Sequence, residues 1–296
     1  RDLSRLKSSL DLSYNNPPLI DEDEDNVDKN TRQLKYDDLD YANQFSFKIF
    51  SEREQIVNNG ASEFTKPLEI SIDKKIDSNT LPLKIDLNFI TTNFDHKVAS
   101  KTTGNRTHAE IELSRKNRIG PLRLDTSTDF GITQYYIKNT NNQNRVIGGF
   151  GLGLSLPYYR ESSLFGYEVM HKLMPKISYD FKVKKDQKDL PIFDTADNIK
   201  NLLTYESLIS GKRYSGLDRI INENDITISL ESDFEDMSEG GDGESLLNFK
   251  IAQRFYGDDD VVSLADDSLG NPLSYEKRRK YSDIAASLDI SVNDYL

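Results

Sequence analysis

The chain contains no cysteine in 296 residues, which excludes disulfides and thiolate metal sites within it. No stretch approaches the roughly 18 consecutive apolar residues of a membrane-crossing helix, so helical spanning is excluded as well. Basic residues are outnumbered, 38 against 50 acidic, and the net charge of −12 argues against a nucleic-acid partner, whose backbone calls for a broad basic stripe. Apolar residues make up only 36% and mean hydropathy is −0.65, little core material for a chain of this length. The chain opens at Arg1 with no initiator methionine, signal peptide or targeting segment, the mark of a mature or internal piece.

What is present is an alternation of apolar and polar residues with a period of two. Leu122, Leu124, Phe130, Ile132 and Tyr136 share one parity, and Arg123, Asp125, Ser127, Asp129 and Thr133 the other. Leu81, Leu83, Ile85, Leu87 and Phe89 likewise oppose Lys84, Asp86 and Asn88. A β-strand turns successive side chains to opposite faces, so each segment has one apolar and one polar face. Eleven strands are predicted, over 4–14, 41–52, 67–76, 81–92, 108–115, 122–137, 145–157, 167–183, 225–236, 245–257 and 282–293.

Two architectures satisfy this pattern. A soluble two-sheet sandwich would turn the apolar faces inward. A transmembrane barrel would turn them to lipid and keep the polar faces around a wet lumen. The connections favour the barrel, because short turns such as 77–80 and Gly120-Pro121 alternate with longer polar loops such as 93–107 and 184–224. The longest loop allows a short helix around 198–210, and 15–40 has room for a further hairpin. Aromatics near the strand ends, among them Tyr14, Tyr41, Phe94, Tyr135, Tyr136, Tyr158, Tyr159, Phe255 and Tyr256, would form head-group girdles. The fold these features favour is all-β, an antiparallel up-and-down transmembrane barrel with about eleven strands over 1–296.

Catalytic patterns are missing. His96, His108 and His171 lie in separate segments without metal-ligand spacing. The acidic run 21–25 resembles the start of a calcium loop, but Asn26 and Arg32 stand where such a loop needs Gly and Glu. Loosely bound divalent cations are the most it supports, and no cofactor is expected. Gly148, Gly149, Gly151 and Gly153 sit inside an alternating strand with no helix pattern after them, so they mark a bend or a close backbone approach rather than a dinucleotide fingerprint. Gly153-Leu154-Ser155-Leu156-Pro157 lacks the second glycine of a nucleophile elbow.

The segment Leu173-Met174-Pro175-Lys176-Ile177-Ser178-Tyr179-Asp180-Phe181, followed by Asp186-Gln187-Lys188-Asp189-Leu190-Pro191-Ile192-Phe193-Asp194, resembles the LPS-assembly outer-membrane proteins, the LptD family once called organic solvent tolerance proteins. Arg213-Tyr214-Ser215-Gly216-Leu217-Asp218-Arg219-Ile220 and Gln253-Arg254-Phe255-Tyr256 match further motifs of that family in order and spacing, over about 81–256. The resemblance implies a barrel of about two dozen strands with an N-terminal periplasmic jelly-roll domain, which together with the remaining strands falls outside this segment. It implies insertion of lipopolysaccharide into the outer leaflet of a Gram-negative outer membrane, with a lateral exit, an LptE-like lipoprotein plug and a periplasmic Lpt bridge, and no enzymatic step. The polar parity then supplies candidate path residues Lys84, Asp86, Asn88, Arg123, Asp125, Asp129, Lys172, Lys176 and Asp180. Arg213, Tyr214, Gly216, Asp218 and Arg219 are expected to pin the long loop, Arg213, Asp218 and Arg219 through charge-assisted hydrogen bonds, with Pro191 and Gly216 as fixed bends. A substrate-specific porin, a soluble carbohydrate-binding β-sandwich and an outer-membrane phospholipase or protease barrel are the alternatives. A Ser/His pair on one inward parity would favour the enzyme, and none is evident.

Overall fold

A computed structural model describes residues 5–16, 44–56, 63–78, 83–138, 140–164, 166–195, 204–237, 245–262, 264 and 278–291. The run 21–25, Tyr41 and most of 15–40 lie outside them. Twelve strands form an antiparallel up-and-down sheet: β1 (Arg5–Asn16), β2 (Phe45–Ile56), β3 (Thr65–Ser78), β4 (Leu83–Asp95), β5 (Gly104–Ile119), β6 (Leu122–Ile137), β7 (Gln143–Ser155), β8 (Tyr158–Leu164), β9 (Tyr167–Lys182), β10 (Glu223–Asp236), β11 (Ser245–Tyr256) and β12 (Ala285–Ile290). Hydrogen-bonded neighbours run β1-β2-β3-β4-β5-β6-β7-β9-β10-β11-β12, with β8 beside β9. The fold class is the expected one.

Several expected boundaries are corrected: β2 runs on to Ile56, β7 ends at Ser155 and β12 narrows to Ala285–Ile290. Strand β5 extends at both ends beyond 108–115, and 158–164, assigned to a connection, is the twelfth strand. Residues Ser155 and Tyr158 oppose Lys176 and Leu173 in a single unbroken register, so β7 and β8 are one strand interrupted at Pro157. Proline has no N–H to give the ladder; the last bond before it runs from Leu156 N–H to Pro175 O at 3.1 Å. The helix lies within the expected span, as α1 (Tyr205–Ser210). Thr204 caps it in a capping box with Ser207, and Gly211, at φ 65°, closes it in the left-handed conformation.

The chain divides into two compact units. Unit 1 comprises Arg1–Arg115, Thr128–Gly148 and Leu190–Phe193; unit 2 comprises Lys116–Ser127, Gly149–Asp189 and Asp194–Leu296. Each unit is built inside out relative to a soluble sheet protein. In unit 1 the apolar parity stays bare, with Leu12 56% and Phe130 48% exposed, while the buried apolar cluster of Phe94, Tyr135, Ile137 and Phe193 draws its strand residues from the polar parity. In unit 2 Leu152 and Ile228, 41% and 50% exposed, face out, and Leu208 of α1 packs on Ala252 and Ala285 of the opposite face. A sandwich would bury the bare parity. Leu124, Leu154 and Leu230 share that parity with their exposed neighbours.

The aromatics divide by parity as well. Tyr14, Tyr136, Tyr158, Tyr159 and Phe255 are exposed, but Phe94 and Tyr135 are almost wholly buried. Those two are not girdle residues: each lies on the parity of its strand's polar residues and packs against Phe193. The run 79–82 and the pairs 120–121 and 165–166 join strands at one end, and 57–64, 96–103, 138–142, 183–222 and 257–284 at the other. The connection 237–244 also lies at the first end, and it and the connection between β1 and β2 depart from that rhythm.

Candidate functional site

The polar face of unit 1 starts near the short turns as open mixed charge. Lys84, Asp86 and Asn88 of β4 oppose Ser114, Glu112 and Glu110 of β5; Lys84 and Asp86 are half-buried, and Asn88 donates to Asp73. Toward the long loops the same face closes over. Arg106, His108, Thr133 and Arg145 are each 1% exposed. Thr133 Oγ1 accepts from Arg145 Nη2 at 2.9 Å and lies 2.9 Å from His108 Nδ1. Gly131 leaves room for that imidazole, since a Cβ there would stand 3.2 Å from His108 Cε1. The Arg106 guanidinium sits 4.9 Å from the centre of the Phe94 ring, a cation over the negative face of a ring. Phe94 stacks on Phe193 at 4.4 Å, and Phe64 meets Phe193 edge-on at 5.5 Å. Asp129 of β6 falls on the parity of Thr133, nearer the short-turn end.

In unit 2 the path candidates gather around the glycines of β7. A Cβ at Gly153 would lie 3.3 Å from Lys176 Cε and 3.6 Å from Asp125 Cβ; one at Gly151 would lie 2.7 Å from Ser127 Oγ and 3.3 Å from Asp180 Oδ1. The missing side chains let residues of β6 and β9 lean together across β7, so these glycines mark a close approach. Arg123 Nη2 donates to Tyr159 Oη at 3.1 Å, and Lys172 stands opposite Tyr159 on one side and Asp233 on the other. Arg123, Asp125, Lys172 and Lys176 thus share one polar surface. His171 is on the other face, stacked on Phe234 at 4.1 Å.

Residues 194–195 and 204–222 are knitted into unit 2 by buried polar bonds. Asp218, fully buried, accepts from Asp194 N–H at 3.0 Å, and its own N–H donates to Thr195 Oγ1 at 3.0 Å. Gly216, at φ 69°, passes so close that a Cβ would meet Asp194 Oδ1 at 2.7 Å. Arg219 Nη1 donates to the Asp218 carbonyl at 2.9 Å. Gln187 reads Ile220 like a strand partner, donating to its O at 2.6 Å and accepting from its N–H at 3.1 Å. Asn222 does the same with Asp259 O and Val261 N–H. Tyr214 Oη donates to Val262 O at 3.1 Å, and Arg213 pairs with Asp260.

Beneath this sits a centre to which the sequence reading assigned no role. Arg254, 3% exposed, donates from Nε to Asp225 Oδ2 at 3.0 Å, reaches Glu223 at 3.2 Å and Asp180 at 3.8 Å, and donates from Nη1 to the carbonyl of Leu208 in α1 at 3.2 Å. Arg278 joins the two buried acids, 2.7 Å from Asp260 and 3.6 Å from Asp225. Arg254 belongs to the segment Gln253-Arg254-Phe255-Tyr256 and lies on the parity opposite the exposed Phe255. Its partners come from β9, β10 and the loop, and no spacing in the chain connects them. At the surface Lys184 lies 2.9 Å from Asp258; that ion pair, with a hydrogen bond from Asn224, holds the Asp258 carboxyl below its ordinary value. Among the described residues no group of three or more His, Asp or Glu is arranged to hold a metal ion.

Comparison with known proteins extends the resemblance past its motifs. The family described as LPS transport system D matches residues 2–296. An LPS-assembly protein LptD of Pseudomonas putida is 31% identical over 159 residues, 53% of this chain and 16% of that protein. One of Chromobacterium violaceum is 28% identical over 191 residues, 62% of this chain and 24% of that protein. One of Neisseria meningitidis serogroup B is 28% identical over 213 residues, 70% of this chain and 25% of that protein. The chain thus spans about a quarter or less of the length of these curated relatives. With nearly every residue inside the match, the chain belongs to the LPS transport system D family.

Proposed function

We propose that this chain is a stretch of outer-membrane barrel wall along which lipopolysaccharide is passed toward the outer leaflet of a Gram-negative cell, without bond chemistry. The observation that carries this reading is the inverted sheet: apolar side chains such as Phe130 and Ile228 lie bare on one parity, and Arg123, Asp125, Lys172 and Lys176 share the polar surface of unit 2. A lipid bilayer solvates the first, and sugar and phosphate groups suit the second. Acyl chains do not suit it. Drawing apolar surface along a wet wall costs about 25 cal/mol per Å², so the lipid leaves sideways between strands. The short-turn end faces the periplasm, as in barrels generally. An LptE-type lipoprotein in the lumen and a periplasmic bridge docked on a preceding domain complete the machine. Divalent cations bridging phosphate to the wall's carboxylates would offset the net charge of −12, since like charges 4 Å apart repel by about 4 kcal/mol at an effective dielectric of about 20.

The test is photo-crosslinking of lipopolysaccharide to wall positions in the full-length protein. Replacing Arg123 and Lys172 together with Glu should reduce crosslinking severalfold, and Leu124→Ala, on the lipid parity, should leave it unchanged. Equal crosslinking in all three proteins would remove this wall from the route.

A further inference from the structure

The sequence from 113 to 124 carries Arg115, Lys116, Arg118 and Arg123 without a single acid, in a chain where acids exceed bases by twelve. This basic run is the tip of the β5–β6 hairpin, turned at Gly120-Pro121 with Gly120 at φ 62°, a value that glycine accepts without strain at the first central position of a tight hairpin turn. Lys116 and Arg118 are exposed, and among the described residues neither side chain has an ionic or hydrogen-bonded partner. Beside them Ile119 is 60% exposed and Leu122 also reaches solvent. Strands β5 and β6 have 16 residues each, where about 9–11 cross the hydrocarbon, so the tip projects past the hydrocarbon. In the same unit Tyr158 and Tyr167 of the β8–β9 hairpin are exposed on the apolar parity, while Tyr159, on the polar face, accepts from Arg123.

Unpaired cations, a bare apolar tip and a fringe of tyrosines together match one chemical environment, the anionic head-group zone of a bilayer. The basic run is too short for a nucleic-acid stripe, and an acidic protein segment would not need the aliphatic tip. We infer that the β5–β6 hairpin tip docks on the phosphates of acidic phospholipids in the adjacent leaflet, which anchors this end of the wall. The inference rests on the transport reading for its orientation: the short turns stand at the inner leaflet, where phospholipid rather than the cargo supplies the phosphate. The cations attract the head groups, and Ile119 and Leu122 rest at the boundary between head groups and acyl chains.

The experiment uses the full-length protein in phosphatidylcholine vesicles with and without phosphatidylglycerol, carrying an environment-sensitive fluorescent amino acid in place of Ile119. Brominated phosphatidylglycerol should quench it about twofold more than brominated phosphatidylcholine at equal mole fraction. The double variant K116E/R118E should abolish that preference, and so should high salt, which screens exposed charges without altering the protein. Equal quenching by the two lipids, or no quenching by either, overturns the inference; the latter would place the tip in water or against protein. Loss of the preference on adding lipopolysaccharide would assign the site to cargo and overturn it too. Lipopolysaccharide transport in the same vesicles is the control: if it proceeds while the lipid preference is absent, this inference falls and the transport reading stands.

Discussion

In unit 1 the segment after β9 is held by rings, and in unit 2 by ions. Phe193 enters a slot between Phe94, Phe64 and Tyr135, whereas 194–195 and 204–222 are fastened through Asp218, Arg213, Arg254 and the acids Asp225 and Asp260. The two chemistries fail differently. Apolar burial is non-directional and graded with the area lost, but a buried charge needs its full set of partners, and removing one strands the rest. Rings tolerate approximate shape, and a guanidinium that serves acids from two strands and a helix carbonyl does not.

The largest expected effect is at the ionic centre. Arg254→Ala should cost about 3–5 kcal/mol, because Asp225 and Glu223 lose their main cation in a buried site. Urea unfolding of the full-length protein, with proteolysis of 204–222 as a local readout, would measure it. Arg254→Lys should recover little, as an ammonium cannot span the same acceptors. A loss below about 1 kcal/mol, or full rescue by Lys, would show that this centre behaves as a surface pair and erase the contrast with unit 1.

Next comes the aromatic slot. Phe193→Ala should cost about 3 kcal/mol, and Phe193→Leu should recover more than half of that, because area and not ring geometry carries most of the energy. If Leu performs no better than Ala, stacking on Phe94 and the Arg106 contact dominate and the slot is as geometric as the ion lattice.

The smallest effect is at the rim. The Asp258 carboxyl titrates below its unfolded value of 3.8 because of Lys184, so its contribution is present above that value and is lost as pH falls through the depressed one. Exposure and salt screening limit it to a few tenths of a kcal/mol. Asp258→Asn should therefore remove a small stability increment at neutral pH and none once the pH has fallen below the carboxyl's depressed titration. An effect comparable to Arg254→Ala would mean that Asp258 belongs to the buried lattice.

Much of the sheet was legible because period two is a local property. Parity alone separates Phe130 from Asp129 and Ile228 from Thr227, and the strand set followed apart from shifted ends in β2, β5, β7 and β12 and the missed β8. The β8 segment was missed because Pro157 reads as a terminator, and only the unbroken register with β9 shows that the ladder resumes beyond it. Phe94 and Tyr135 were misassigned to the girdle by giving residue type more weight than parity. The glycines of β7 were rightly placed as a close approach, though nothing local could tell that Asp125 and Lys176 meet there.

The alternation by itself determined that this chain forms an antiparallel sheet with one apolar and one polar face, because each strand's side-chain direction depends only on its own neighbours. Its composition, with 36% apolar residues, set how little core material there is but left a sandwich and a barrel both open. Which polar residues are buried was decided by tertiary structure alone. Arg254 meets Asp180, Glu223, Asp225 and Leu208, and Phe193 meets Phe94, only once the loop after β9 has folded back. Such contacts depend on where distant segments come to lie, which a local pattern does not encode.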